Sequence, residues 1–544
     1  MASEIVSEAA GGRLFTRQAT GLVRSVSPLS HIIFNTFTAP AAFVLAIALF
    51  WTLGAFPGAN LYVALTLGYV SGFIFAFAIS TVTSAIPRSG GDYVFVGRVL
   101  HPIVGIVSSF CFTAGVLLSA AGISLFLVTG ALAPSLNVVG VVSHSHTMLN
   151  WGSTLESNHG WQFGVGIIFI SLAALLAASG WKWSLRVQNL GFVITGLGLL
   201  VTAIVVLVHS GSDFVTHFNH YANPITGNTD SYHSIITAAQ KQGTNVNPGS
   251  HFANTWPAYG AVIGFSIYAF YSTHIGGEVR QAKSWRTPIA MVGATAINLI
   301  LCLVMTAIFF HGFGSKFFAA ANAVNGTKAW PFSAPPFYVF LSSVAGGSAA
   351  LAWFLGISLV FTFFVVLWLQ FVQPMRAFFA YAFDGVLPLR IARVSSRSHV
   401  PVVSLGIVSA MTIGLYAWAV YGSNFFTVYA TAVLITVVAL ILMSVSVIAF
   451  AHLRREVWRG SVVTARVMGI PVTTLAGVGA LVVAVLNGFL YLHYPGLGIT
   501  SRGHALRNVG IVVAAALVVY VIADAVRRRQ GMALTKAASE IPPE

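Results

Sequence analysis

The sequence is poor in charge. Only 7% of its 544 residues are Asp, Glu, Lys or Arg, against 57% apolar, and acids number just 12. A soluble protein is roughly a quarter charged, so a soluble globular fold is excluded and a polytopic membrane protein is expected. Cysteine is almost absent. Cys111 and Cys302 both lie in apolar runs, which excludes a disulfide framework and predicts buried thiols with no metal role. Residues 1–26 have no apolar core, so no cleaved leader is expected.

What is present is long apolar sequence. Runs of about 20 residues or more, enough to span a bilayer, fall at 28–53, 59–86, 103–133, 161–180, 185–209, 256–274, 288–313, 340–373, 402–421, 425–452, 470–493 and 506–526. The reading is twelve transmembrane helices, the eighth long enough to tilt or to continue past the membrane. With the N-terminus inside, only Lys241, Lys316, Lys328, Arg502 and Arg507 fall outside; the other 22 of the 27 basic residues face the cytoplasm. That bias places both termini inside, in the cell membrane. It also accounts for the net charge of +15 by attraction to anionic lipid, without nucleic acid as a partner. The outer loops 134–160 and 210–255 carry His144, His146, His159, His217, His220, His233 and His251. Their spacing matches no common metal motif, so scattered loop histidines and no metal centre are expected. Asn325-Gly326-Thr327 is a formal glycosylation triplet of a kind common by chance.

The polar stretch Gly264–Pro288 interrupts the sixth span with Ser266, Tyr268, Tyr271, Ser272, Thr273, His274 and Gly276-Gly277. Unsatisfied backbone groups in hydrocarbon cost several kcal/mol, so such a stretch predicts a helix broken where protein or ligand can satisfy it; a helix that exits at Tyr271 is the alternative. Two units of five helices would run upside down relative to each other, which requires the first span to break as the sixth does. It holds Asn35-Thr36-Phe37-Thr38-Ala39-Pro40 in mid-span, and Pro40 removes a backbone donor. The expected organisation is a tail over 1–27, a first five-helix repeat over 28–209, an outer loop over 210–255 and an inverted repeat over 256–452. Helices 11 and 12 follow over 453–526, then a tail over 527–544.

Three stretches on the basic face carry a family resemblance: Pro87-Arg88-Ser89-Gly90-Gly91-Asp92-Tyr93, Gly276-Gly277-Glu278-Val279-Arg280 with Pro288, and Arg376 followed by Ala380, Ala382, Asp384-Gly385 and Pro388. Together they resemble the amino acid–polyamine–organocation permeases, which carry P-x-x-G-G-x-Y, E-E-V-x-x-P and R-x-x-x-A-x-A-x-D-G-x-x-P at these places. Read from the residues alone, Gly90-Gly91 permits a tight turn with positive φ. Arg88, Asp92, Glu278, Arg280, Arg376 and Asp384 are candidates for ion pairs closing an inner gate, with solvated loop charges as the alternative.

The resemblance implies an all-α, LeuT-type fold: two inverted five-helix repeats plus two extra helices, with substrate held between broken helices 1 and 6. The matching positions are Asn35, Thr36, Phe37, Thr38 and Ala39, whose backbone donors would meet a carboxylate, and Ser266, Ile267, Tyr268, Ala269, Phe270 and Tyr271, whose carbonyls would meet an ammonium. The sequence departs from the family there: N-T-F-T-A-P replaces the glycines of helix 1, and Ala269-Phe270-Tyr271 replaces G-F-E. Phe270 is either an aromatic cover for substrate or core packing. No acid lies within a predicted span before Asp524, and a cation at depth wants a carboxylate partner. Neutral amino acids are therefore the expected substrates, with amine exchange or polyamine uptake as the alternative and a non-transporting nutrient sensor as the reading from another class. No organic cofactor is expected. Ser358 and Thr362 are a candidate sodium site, and His31 and His274 candidate proton groups. The state is monomer or homodimer. No nucleophile–base pair or metal cluster at depth points to an enzyme.

Overall fold

The computed structural model describes residues 22–531 and Leu534. Arg13, Arg17 and Lys536, counted above in the tails, lie outside the described residues. Among the described residues, eleven helical stretches are long and apolar enough to cross a membrane. The first consists of α1 (Pro28–Thr36) and α2 (Ala41–Ala55), separated by the non-helical residues 37–40. The second is α3 (Leu61–Ala85), and a short buried helix, α4 (Asp92–Val99), follows it on the arginine-rich face. The third, α5 (Pro102–Phe126), does not stop at residue 133. It passes through a π-helical turn at Leu127–Leu132 into α6 (Ala133–Val142), and this locally widened winding directly precedes Pro134, whose missing N–H an uninterrupted α-helix would not satisfy.

The histidine-bearing loops are helical. After α7 (His146–Ser157), α8 (His159–Ala178) and α9 (Trp181–Val208), the loop 210–255 folds into α10 (Ser212–Thr226) and α11 (Ser231–Lys241). The sixth expected span, 256–274, is instead α12 (Thr255–Ser266), which tightens into a 3-10 helix over Ile267–His274; neither part alone has the length of a span. Next, α13 (Arg286–Phe309) continues through a π-turn at Phe310–Gly314 into α14 (Ser315–Val324). The apolar run at 340–373 is two helices: α15 (Tyr338–Gly346) ends at Gly347, whose φ is +59°, and α16 (Ala349–Phe383) runs on for 35 residues. Left-handed backbone at a glycine stops a helix, a signal that hydropathy alone passes over. The chain then forms α17 (Val402–Tyr421), α18 (Phe425–Leu453), α19 (Arg455–Arg459), a hairpin of β1 (Arg466–Val467) and β2 (Ile470–Pro471), α20 (Val472–His493) and α21 (Arg502–Arg529).

Small residues bring the central helices together, as expected where lipid supplies no hydrophobic drive between them. A Cβ on Gly68 would lie 2.4 Å from Val262 Cγ1, and one on Gly72 2.6 Å from the Ser266 carbonyl oxygen. The α3–α12 contact therefore depends on both glycines. Ser266 Oγ uses the closeness to donate to the Gly68 carbonyl at 2.7 Å.

Candidate functional site

The break in the first span follows from Pro40. A proline ring clashes with the carbonyl four residues back and offers no N–H, which strands the Thr36 carbonyl and leaves α2 to start afresh. Asn298 of α13 serves both ends: its Nδ2 donates to Thr36 O at 3.0 Å and its Oδ1 accepts from the Ala41 N–H at 3.1 Å. Asn35 ties this break to the second one, accepting from the Ser272 N–H at 3.1 Å while its Nδ2 donates to the His31 carbonyl. His31 Nε2 lies 2.7 Å from Ser272 Oγ. Two interrupted helices are thereby joined through buried amides.

Beside the breaks lies a cavity of about 900 Å³, within the usual range of ligand pockets. At its base it is lined by Thr38, Phe43, Tyr268, Tyr271, Val366 and Leu369, and it reaches residues Asn325–Thr327 and Trp330–Phe337 on the face opposite the arginines. Tyr268 and Tyr271 hydroxyls meet Thr436 Oγ1 at 3.2 Å and the Leu369 carbonyl at 3.4 Å. One carboxyl lines the wall among the described residues, Glu156 of α7. Burial pushes it up to about 7, against a lowering hydrogen bond from Asn137 Nδ2 at 2.9 Å.

Toward the arginine-rich face the molecule is closed by buried charge. Glu278 receives a bidentate pair from Arg376, Nε to Oε1 and Nη2 to Oε2, both 3.0 Å. Trp181 Nε1 and Ser89 Oγ also donate to this carboxylate, and the Arg376 guanidinium lies 5.0 Å from the Trp181 ring. Two-pronged, hydrogen-bonded pairing is the geometry in which burying a charge pair is tolerated. Arg98 of α4 pairs with Asp384 at the end of α16. Gly90 and Gly91 turn at φ +106° and +52°, and a Cβ on Gly91 would fall 2.1 Å from His274 Nδ1. The Asp92 carboxyl is fully buried, accepts from Ser108 Oγ at 2.8 Å and places Oδ1 3.8 Å from His274 Nδ1.

The family model described as amino acid permease matches residues 16–519. The chain belongs to the amino acid permease family. No curated protein matches it. Membership carries the all-α multi-pass architecture and the transport of amino acids in general. Within this permease, Thr38, Tyr268 and Tyr271 reach the cavity wall. Asn35, Thr36, Phe37, Ala39, Ile267 and Ala269 are buried around the breaks, and Ser266 is committed to Gly68. Phe270 packs between Phe75 and Phe112 at 5.0 and 5.8 Å between ring centroids. Ser358 and Thr362 face α9: Ser358 Oγ donates to the Ile194 carbonyl at 3.1 Å, and Thr362 Oγ1 lies 2.7 Å from Thr195 Oγ1. Arg88 donates to the Pro87 carbonyl, and Arg280 donates to the Arg24 and Val26 carbonyls, holding the incoming N-terminal strand.

Sequence reasoning missed Asn298, Trp181 and Arg98. Asn298 left a signal, being an amide in the middle of an apolar run. Arg98 and Trp181 left none, because their partners lie 286 and 97 residues away.

Proposed function

We propose that this permease carries neutral amino acids across the cell membrane by alternating access, with its arginine-rich face and termini cytoplasmic. The observation that carries the reading is the cavity base: hydroxyls of Thr38, Tyr268 and Tyr271 and apolar Phe43, Val366 and Leu369, with no carboxylate among them to hold a side-chain cation. The cavity opens away from the closed Glu278–Arg376 pair, so substrate enters from outside while the inner gate is shut. The proton is the coupling cation in this reading. Asp92 and His274 face each other, buried, inside the gate, whereas Ser358 donates its hydroxyl to α9 and Thr362 donates to the Ser358 carbonyl beside Thr195 of α9.

A second reading rests on Glu156. A carboxyl on the cavity wall is available to an amine, which favours amine exchange or polyamine uptake. Uptake of labelled amino acids and amines into proteoliposomes, with proton and sodium gradients imposed separately, distinguishes these. Saturable uptake of neutral amino acids that follows the proton gradient supports the proposal. Uptake of amines alone, lost in Glu156→Gln, supports the second reading. Binding without uptake makes the protein a sensor, and accumulation driven by sodium overturns the proton assignment.

A further inference from the structure

The outer helix α10 carries two side-chain rows about 100° apart around its axis. One face carries Phe214 and Phe218, fully buried. Phe214 packs on Phe313 at 4.9 Å between ring centroids, and Phe218 on Trp330 and Phe332 at 6.0 and 5.8 Å. Trp330 and Phe332 line the cavity, so α10 braces its mouth. The other face carries Asp213 and His217, and His209 closes the end of α9 beside them. His209 Nδ1 lies 2.6 Å from Asp213 Oδ2, and His217 Nε2 lies 3.7 Å from Asp213 Oδ1. One ligand atom from each of the three residues lies within 4.8 Å of the others.

We propose that His209, Asp213 and His217 form a binding site for a divalent transition metal of the zinc class. Two imidazoles and a carboxylate suit such ions and not calcium or magnesium, which want oxygen alone. Ligands at about 2.0–2.2 Å from a tetrahedral centre stand about 3.4 Å apart, so the present spacings need only small side-chain rotations. The set is partly exposed, which leaves an entry path and a fourth position for water. His-x-x-x-Asp-x-x-x-His is a one-face spacing on a helix, but His209 precedes α10, separated from it by Gly211 at φ +63°. That turn separates the three residues in the sequence reading, where His217 counts among the scattered loop histidines and His209 ends the fifth span. A bound ion would join the end of α9 to the helix that braces the cavity mouth.

The test is calorimetric titration of zinc into the full chain in detergent, with hydrogen exchange over residues 212–226. Neither measurement depends on the transport reading. The expected result is a saturable one-to-one isotherm and slower exchange in α10. Both His217→Ala and Asp213→Asn should weaken binding by at least about tenfold, since losing a ligand costs more than losing its outer-shell support. His233→Ala, at the separate exposed His233–Asp230 pair, should leave it unchanged. Asp213→Asn keeps the shape and guards against a folding artefact. Zinc binding that persists in the His209→Ala, His217→Ala double variant, or that shows no defined stoichiometry, overturns the site.

Discussion

Asp92 is the residue whose chemistry the fold alters most. Burial raises its carboxyl from 3.8 to about 7, and the Ser108 hydroxyl only partly opposes this. The titratable groups around it are His274, facing it, Cys111 and Tyr381. The folded state therefore keeps a proton that the unfolded chain releases above about pH 4. Stability conferred by the buried acid form is lost as pH rises from about 4 to about 7, and the penalty is full above 7. Asp92→Asn carries no such charge. Its thermal midpoint should vary less between pH 5 and pH 8 than that of the wild type, whose midpoint falls. Parallel curves would remove Asp92 from the pH response.

At the scale of the element, the break in the first span is held by a side chain from another helix. Asn298 satisfies the Thr36 carbonyl and the Ala41 N–H at once. Asn298→Ala strands both, at about 1–3 kcal/mol for each buried group left unpaired. The variant should melt earlier, and its substrate affinity should fall, because residues 37–40 lose their shape. Unchanged melting and affinity would mean that water takes over both groups and that the amide is dispensable. The second break differs in kind. Ile267–His274 keeps helical winding as a 3-10 turn, a form that often marks a hinge within a helix.

For the whole molecule, the two ends of the cavity make unlike predictions. Cys111 and Cys302 are fully buried, so the wild type is a silent background for introduced thiols. Thr38→Cys, on the cavity wall, should react with a membrane-impermeant maleimide added outside and be protected by substrate. Ser89→Cys, buried against Glu278, should stay unreactive from the cytoplasmic side. Adding Glu278→Gln leaves Arg376 buried without its charge partner. Breaking a buried pair costs about 3–5 kcal/mol, enough to favour the open gate, and Ser89→Cys should then react from that side. Reactivity of Ser89→Cys without the second change would refute a closed inner gate.

Much of this was determined by the sequence alone. Membrane spans are declared by composition, because hydrocarbon tolerates only long apolar helices, and eleven of the twelve expected runs appear as such spans. The break at 37–40 was legible because Pro40 acts through its own covalent structure. Positive φ at Gly90 and Gly91 was legible because only glycine adopts it freely. The tertiary structure decided the partners. Asp384 meets Arg98, Glu278 gathers Arg376, Trp181 and Ser89, and Ser358 and Thr362 turn to α9. A side chain's type states what bonds it can make, whereas its choice among distant partners is set by packing that no local pattern records. For the same reason, His217, one of several loop histidines in the sequence, meets His209 and Asp213 only where the end of α9 and α10 come together.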